Sequence, residues 1–245
     1  MAHRKSPEAW YWSYDIKPEH LGSVLVPGVR LMRLSSYRKR GNPQLAALTH
    51  QDHGPARRHV LDLDAAAAAD LVQKTGERPV SITADPGATG APRFSLVVET
   101  GPGPVSSLHL DLDEAGARAL LDDHHAIADL ATYVSGGARR YAVIVEERAA
   151  HSWLFTGVTA HELDARLLEH GAALTRVRAY REGGRQLYAA VAERNEAAGW
   201  AWYGGLDPDA VARNLENNES YPVDLDATRD DEQGVRFSVV MYKTT

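Results

Sequence analysis

The chain has 245 residues, of which 44% are hydrophobic and 24% charged, and this composition is typical of a folded globular protein rather than a disordered or fibrous one. It contains no cysteine, which excludes disulfides, thiolate metal sites and a cysteine nucleophile. The net charge of −6 argues against nucleic acid as a partner, because a face that binds nucleic acid must be basic.

The start of the chain is polar and reaches Trp10 without the apolar stretch of a secretory signal. No segment approaches the ~20 apolar residues that span a bilayer, so we expect no membrane partner. The protein is expected in the cytoplasm if the chain is full length, and outside the cell if a signal peptide was removed.

Three landmarks recur with a period of about 47 residues, which indicates internal repeats. A Trp-x-aromatic pattern opens a unit at Trp12, Trp153 and Trp200. An aliphatic residue three positions before a tyrosine follows, and those tyrosines are Tyr37, Tyr133 and Tyr180. A glycine turn then precedes an aromatic residue, at Phe94, Tyr141, Tyr188 and Phe237. Repeat one carries Leu45 at that last position.

These landmarks predict five repeats, at about 9–52, 56–103, 104–150, 151–198 and 199–245, within a single repeat domain over residues 1–245. Each unit is predicted as strand, helix, strand and strand (β-α-β-β). The Trp-x-aromatic pattern has the period of a strand. The last strand begins at the aromatic residue that follows the glycine turn.

Helix signals follow the first strand of each unit. The predicted N-terminal positions are Lys17 before Pro18, Asp64, Asp113, Thr159 and Asp207 before Pro208. Thr159 forms a predicted capping box with Glu162. The predicted C-terminal stops are Gly28, Gly76 and Gly171.

One such unit cannot bury its own apolar face, so neighbouring repeats must pack together. We therefore expect an α+β fold in which the repeats form a ring, an α/β propeller, or a curved half-barrel with a continuous sheet. Repeats one and five lack the polar outer face of capping repeats, which favours a ring or a nearly closed half-barrel.

The pattern resembles the bacterial tandem-repeat domain, which precedes a β-lactamase-like domain in polyglycine hydrolases. The resemblance rests on the Leu-x-x-Tyr motif, the glycine turn and the Arg-Tyr-Ala-x-Val strand, and is strongest over residues 127–145 and 153–191. It implies a repeat module that binds or positions a partner. The chain ends after the fifth repeat, without the hydrolase domain, and repeats two and five lack the tyrosine.

Two motifs have residue types and spacings found in catalytic or metal sites. Ser36 and Lys39 have the Ser-x-x-Lys spacing of β-lactamase-like enzymes, but we expect an exposed basic turn there. His50 and His53 have a spacing that a metal could use, but neighbouring Gly54 predicts a solvated loop.

Two further motifs are predicted to lie at helix termini. His124 and His125 are expected to end the helix of repeat three, where a protonated imidazole suits the helix dipole. Asp111 and Asp113 resemble a calcium loop only superficially, and helix capping is the better interpretation. We therefore predict no catalytic residue, no metal and no cofactor.

The aromatic residues are the candidate ligand-binding residues. They are Trp10, Trp12, Tyr14, Trp153, Trp200 and Trp202, with Tyr37, Tyr133 and Tyr180. The tryptophans fall in repeats one, four and five, which would be adjacent in a ring. Aromatic faces bind sugars and peptides, although packing in the core is the more common role of such residues.

Arginines precede three of the strand aromatics, at Arg93, Arg140 and Arg236. They could line a channel for an anionic ligand, but a salt bridge to the neighbouring unit is the favoured interpretation.

The leading hypothesis is a non-catalytic recognition module that binds a carbohydrate or an extended peptide. The alternatives are a hydrolase-related enzyme or accessory protein acting on glycine-rich peptides, and a purely structural protein that binds a protein partner.

Overall fold

Each predicted repeat contains a three-stranded antiparallel sheet in which the third strand lies between the first and the second. The computed structural model describes residues 6–87, 90–194, 199–230 and 234–243. Residues 1–5, which formed part of the segment considered for targeting, lie outside the described residues. In the described residues, strand residues far outnumber helical residues, and five separate sheets are present rather than one continuous sheet.

The elements follow the predicted order in all five repeats. Repeat one has β1 (Ala9–Ile16), a 3-10 helix (Pro18–Val24), β2 (Val29–Lys39) and β3 (Asn42–Gln51). Repeat two has β4 (Arg57–Leu63), α1 (Ala65–Thr75), β5 (Arg78–Asp85) and β6 (Arg93–Glu99). Repeat three has β7 (Ser106–Leu112), α2 (Glu114–Arg118), β8 (His125–Ser135) and β9 (Ala138–Glu147). Repeat four has β10 (Ser152–Val158), α3 (Ala160–His170), β11 (Ala172–Glu182) and β12 (Arg185–Arg194). Repeat five has β13 (Trp200–Leu206), α4 (Pro208–Asn217), β14 (Ser220–Asp230) and β15 (Gly234–Lys243).

The predicted N-caps of the four α-helices are confirmed. Asp64, Asp113 and Asp207 each accept a hydrogen bond from a backbone N–H of the first turn. Thr159 and Glu162 form the capping box. Each such cap stabilises its helix by about 1 kcal/mol, because it satisfies an amide that would otherwise lack a partner.

Repeat one departs from the others, and two of the predictions at helix ends are wrong. Lys17 is the N-cap before Pro18, as predicted, but its side chain has no acceptor for a capping bond and only a short 3-10 helix follows it. That helix ends at Val24, so Gly28 belongs to the turn before β2 rather than to a helix end. In repeat three, α2 ends at Arg118, and His125 begins β8 instead of ending the helix.

A backbone bulge interrupts every first strand at the same place. The bulged residues have positive φ angles and are Asp15, Asp62, Asp111, Gly157 and Gly205. The strand register shifts there in all five repeats. Aspartate and glycine suit this position, because few other residues tolerate the left-handed region.

The second strands are the innermost elements and contact one another in the order β2, β5, β8, β11 and β14. β14 in turn lies against β2, so repeat five contacts repeat one. Hydrogen bonds also join these two repeats, among them one from His50 Nε2 to the Pro222 carbonyl at 2.8 Å and one from Ser35 Oγ to Asp226 at 2.9 Å. The first strands, by contrast, lie at the outer edge of each sheet.

Five clusters of buried apolar residues lie between neighbouring repeats. Four of them join repeats one and two, two and three, three and four, and four and five. The fifth joins repeats five and one, where Phe237, fully buried, packs with Leu48 and Tyr37. The apolar faces of the helices contribute to these clusters, which accounts for the mutual dependence expected of the repeats.

We expect replacement of Phe237 by alanine to lower the free energy of unfolding by about 3–5 kcal/mol, because the lost ring leaves a cavity between repeats five and one. Urea denaturation measures this change. The matched control is Leu168→Ala on α3, where the side chain is 85% exposed and the expected change is below about 0.5 kcal/mol. Equal stabilities of the two variants would contradict the packing between repeats five and one.

Candidate functional site

The innermost strands of neighbouring repeats are joined by side chains rather than by backbone pairing. The N–H of Ile82 donates to Asp129 at 2.9 Å, and that of Val177 donates to Asp224 at 2.8 Å. Each acceptor lies 47 residues after its donor, so the same contact recurs from repeat to repeat.

Related contacts occur at the same interfaces and at others. Ser36 N donates to Thr83 Oγ1 at 2.9 Å, Ala179 N to Asp226 at 2.8 Å, and Ala227 N to Ser35 Oγ at 2.9 Å. Polar side chains in these strands therefore satisfy backbone groups that have no partner strand.

Arg178 lies at the centre of this network and is 5% exposed. Its guanidinium donates to the Leu130 carbonyl at 2.8 Å, to Asp224 at 2.7 Å and to Asp129. Burial by itself lowers the pKa of Arg178, but the carboxylates of Asp224 and Asp129 outweigh it and hold this pKa above its usual value.

The pKa values of two buried aspartates are also raised, but here burial is the cause. Burial raises the pKa of Asp129 and of Asp226, and the charge of Arg178 opposes the shift. Arg33 and Arg176 lie 3.6 Å from Asp224 and 3.7 Å from Asp129 respectively. Three arginines and three aspartates thus balance one another among the second strands.

The hairpins that join second and third strands define one end of the molecule, which we call the hairpin end. The two-residue loops Arg40-Gly41, Gly136-Gly137 and Gly183-Gly184 have positive φ angles at both positions. Such loops match the twist of a hairpin, which explains the glycine landmark. Arg139 of repeat three donates to the Arg181 carbonyl of repeat four, so neighbouring hairpins contact each other.

Two adjoining cavities at the hairpin end, of about 500 and 1010 Å³, both include Ser36, Arg38 and Asp85 in their walls. We call them together the hairpin cleft. Its walls carry four acidic residues and eight basic ones. The basic residues are Lys17, Arg38, Lys39, Arg40, Arg93, Arg181, Arg229 and Arg236. This positive region contrasts with the net charge of −6 for the whole chain.

Internal ion pairs hold several of these residues in place. Arg38 pairs with Asp85 of the next repeat, Lys39 with Asp15, and Arg93 with Asp62. The larger cavity lies beside the 3-10 helix of repeat one, where the other repeats have an α-helix.

The predicted partners of the strand arginines are wrong. Arg93 lies 2.9 Å from Asp62, and Arg140 lies 3.7 Å from Asp111. Both aspartates are bulge residues of the arginine's own repeat, not of a neighbour. Arg236 lines the hairpin cleft, and its Nε is buried with no hydrogen-bond partner in the described part of the chain.

Ser36 and Lys39 lie in β2, so the prediction of an exposed turn is wrong for Ser36. Ser36 Oγ lies 2.8 Å from Thr83 Oγ1, and Lys39 is paired with Asp15. Strand alternation places positions three residues apart on opposite faces, which separates the serine from the lysine.

His50 is buried in β3, so the prediction of a solvated loop is wrong for this residue. Burial lowers the pKa of His50 to about 4, and the imidazole bonds the Pro222 carbonyl. His53 is exposed and lies 3.0 Å from Glu8. Within the described ranges, no group of three or more His, Asp or Glu residues could hold a metal ion.

The candidate tryptophans lie on first strands, as predicted, and are half-buried. They are Trp10, Trp12, Trp153, Trp200 and Trp202. Trp12 meets Phe237 of repeat five edge to face at 5.4 Å, and Trp202 donates to Asp164 of repeat four at 2.8 Å. Tyr14 stacks on Trp12 and is 39% exposed. These contacts join repeats four, five and one.

The candidate tyrosines brace the bulges. The hydroxyls of Tyr37, Tyr133 and Tyr180 accept hydrogen bonds from the backbone N–H groups of Asp15, Asp111 and Gly157 at 2.8–3.0 Å. All three rings are buried. Tyr37 and Tyr180 also form part of the wall of the hairpin cleft.

A serine and a histidine on β7 lie within hydrogen-bond distance, Ser107 Oγ being 2.9 Å from His109 Nε2. No carboxylate in the described residues bonds the other ring nitrogen of His109, so a catalytic triad is not formed there.

Comparison with protein-family models and with curated proteins gives no match for this chain. The resemblance to the bacterial tandem-repeat domain therefore stays a prediction. No helix in the described residues is long and apolar enough to cross a membrane.

We expect Arg178→Met to lower the free energy of unfolding by about 3–5 kcal/mol at pH 7, because it leaves buried carboxylates without their cation. The loss should shrink as the pH falls, since burial raises the pKa of Asp129 and a protonated carboxyl needs no cation. Urea denaturation between pH 4 and pH 7 tests this.

The exposed residue Arg213 on α4 provides the control, as Arg213→Met should change stability by less than about 0.5 kcal/mol. A destabilisation by Arg178→Met that is independent of pH would show that lost packing, not charge, is responsible.

Proposed function

We propose that the five repeats form a five-bladed α/β propeller that acts as a recognition module. Support comes from the contacts between the first and last repeats and from the five apolar clusters, one at each junction. A ring of this kind is a rigid scaffold, which presents loops for binding without large conformational cost.

We infer that the ligand is an extended acidic peptide, bound along the hairpin cleft. The observation that carries this inference is the excess of basic residues in the cleft of a chain that is acidic overall. The two cavities together exceed the volume of ordinary small-molecule sites, which favours an extended ligand. Proline and leucine side chains in the larger cavity provide apolar contacts beside the charges.

The peptide is favoured over a carbohydrate because the indole rings, which would bind a sugar, contact neighbouring repeats. Trp12 and Trp202 have their ring partners in adjacent repeats. The exposed aromatic residues of β1 are Tyr11 and Tyr14, and neither carries an indole ring.

Fluorescence anisotropy with a labelled decaglutamate peptide tests the proposal, with decalysine and a neutral Gly-Ser peptide as comparisons. We expect binding of decaglutamate alone, weakening as salt is raised, because the attraction is between charges. Arg40→Asn with Arg181→Gln should weaken binding about tenfold. Asparagine is chosen because it tolerates the positive φ angle of Arg40.

The control replaces two exposed arginines elsewhere, Arg194→Gln with Arg213→Gln, and so removes the same total charge. We expect this variant to bind within about twofold of the unchanged protein. Equal losses in the two double variants, or no binding of decaglutamate at low salt, would refute the hairpin cleft as the binding site.

A further inference from the structure

The end of the molecule opposite the hairpins contains a third cavity, of about 390 Å³. The third strands of repeats two, three and four terminate at its wall, as does the turn at 102–104 that links repeats two and three. We call it the linker-end cavity. A third strand takes about 20–30 Å to run from one end to the other, and the Arg178 network lies between.

Five arginine side chains reach this cavity, against three glutamates. The arginines are Arg33, Arg57, Arg78, Arg148 and Arg176. The glutamates, Glu99, Glu146 and Glu193, occupy the same position in successive repeats. Arg33 and Arg176 also neighbour aspartates of the Arg178 network. Guanidinium groups nevertheless outnumber carboxylates in the wall of this open cavity, which favours an anion as the occupant.

The carboxylates in the wall are already engaged. Glu99 accepts hydrogen bonds from Arg57 at 2.7 Å, from Arg30 at 3.3 Å and from Arg78. Glu193 accepts from Arg148 at 3.1 Å. Burial lowers the pKa of Arg57 to about 10, and the neighbouring charges of Arg33 and Arg30 add to this effect.

Arg176 donates a hydrogen bond to the Thr175 carbonyl and to no other acceptor in the described residues. Its side chain is only 8% exposed, and its Nε has no hydrogen-bond partner in the described chain. The nearest carboxylate, Asp129, lies 3.7 Å away and hydrogen-bonds Arg178 instead. A buried donor without an acceptor is costly, so an occupant that accepts this hydrogen bond would stabilise the fold.

We propose that the linker-end cavity binds a small tetrahedral oxyanion, either free phosphate or a phosphate monoester. Guanidinium groups bind such an anion through N–H donors, and Arg176, Arg148 and Arg78 all line the cavity. The Nε atoms of Arg176 and Arg78 are buried and make no hydrogen bond in the described residues. The volume exceeds that of phosphate alone, so a small esterified group also fits. This site is separate from the hairpin cleft.

Thermal unfolding in 10 mM inorganic phosphate, compared with chloride at equal ionic strength, tests the proposal. We expect the Tm to rise by about 5 °C in phosphate, since a ligand at about a hundred times its Kd stabilises the folded state by an amount of that order. Glycerol phosphate is the second probe, and a larger rise with it would identify the ester as the ligand.

Arg176→Gln should abolish the rise in Tm, and Arg148→Gln should reduce it. Arg148 is 30% exposed, so its replacement tests the site even if Arg176→Gln does not fold. Arg194→Gln is the control and should retain the full rise. A Tm in phosphate no higher than in chloride would overturn the proposal. So would a phosphate-induced rise in Tm that is unchanged in the Arg148 and Arg176 variants.

The hairpin variant, Arg40→Asn with Arg181→Gln, separates this inference from the proposed function. It should keep the phosphate effect while its binding of decaglutamate weakens about tenfold. Loss of the phosphate effect in that variant would place the anion in the hairpin cleft and overturn the inference about the linker-end cavity, without affecting the peptide proposal.

Discussion

The innermost strands of this protein meet without pairing through their backbones, and the rest of the structure depends on that constraint. Backbone N–H groups that face a neighbouring repeat are buried, and a buried N–H group needs an acceptor from the protein. Serine, threonine and aspartate side chains of the next repeat supply these acceptors. The buried aspartates then require cations, and Arg178 provides two ion pairs at the centre.

The same arrangement explains why the two ends of the molecule differ. The charge-balanced network around Arg178 lies among the second strands, and each end of these strands has its own set of charges. The hairpins supply an excess of basic residues at one end, and the short 3-10 helix of repeat one leaves room for a wide cleft. At the other end, arginines and glutamates surround a smaller cavity. A departure from exact repetition thus shapes the hairpin cleft, whereas the glutamates of the linker-end cavity recur from repeat to repeat.

The sequence was sufficient to predict the repeat unit and its helix caps, because these depend on residues close together in the chain. Asp207 with Pro208, and Thr159 with Glu162, act within one helical turn. Contacts between repeats could not be predicted in this way. The partner of His50 is 172 residues away, and its burial follows only from the meeting of repeats five and one.

One signal in the sequence indicates the buried network around Arg178. Asp129 and Asp224 directly precede the aliphatic residues Leu130 and Leu225 that mark the second strands. Charged residues that recur inside apolar strands, at equivalent positions of different repeats, indicate a shared buried partner. The bulge aspartates that pair with Arg93 and Arg140 gave no comparable signal, because the bulge depends on backbone angles that the pattern does not specify.

Small-angle X-ray scattering of the full chain tests most directly whether repeat five packs against repeat one. Contact between the first and last repeats predicts a compact particle with a radius of gyration of about 18 Å for 245 residues. A markedly larger radius, with the scattering profile of an elongated particle, would show an open array and contradict the account.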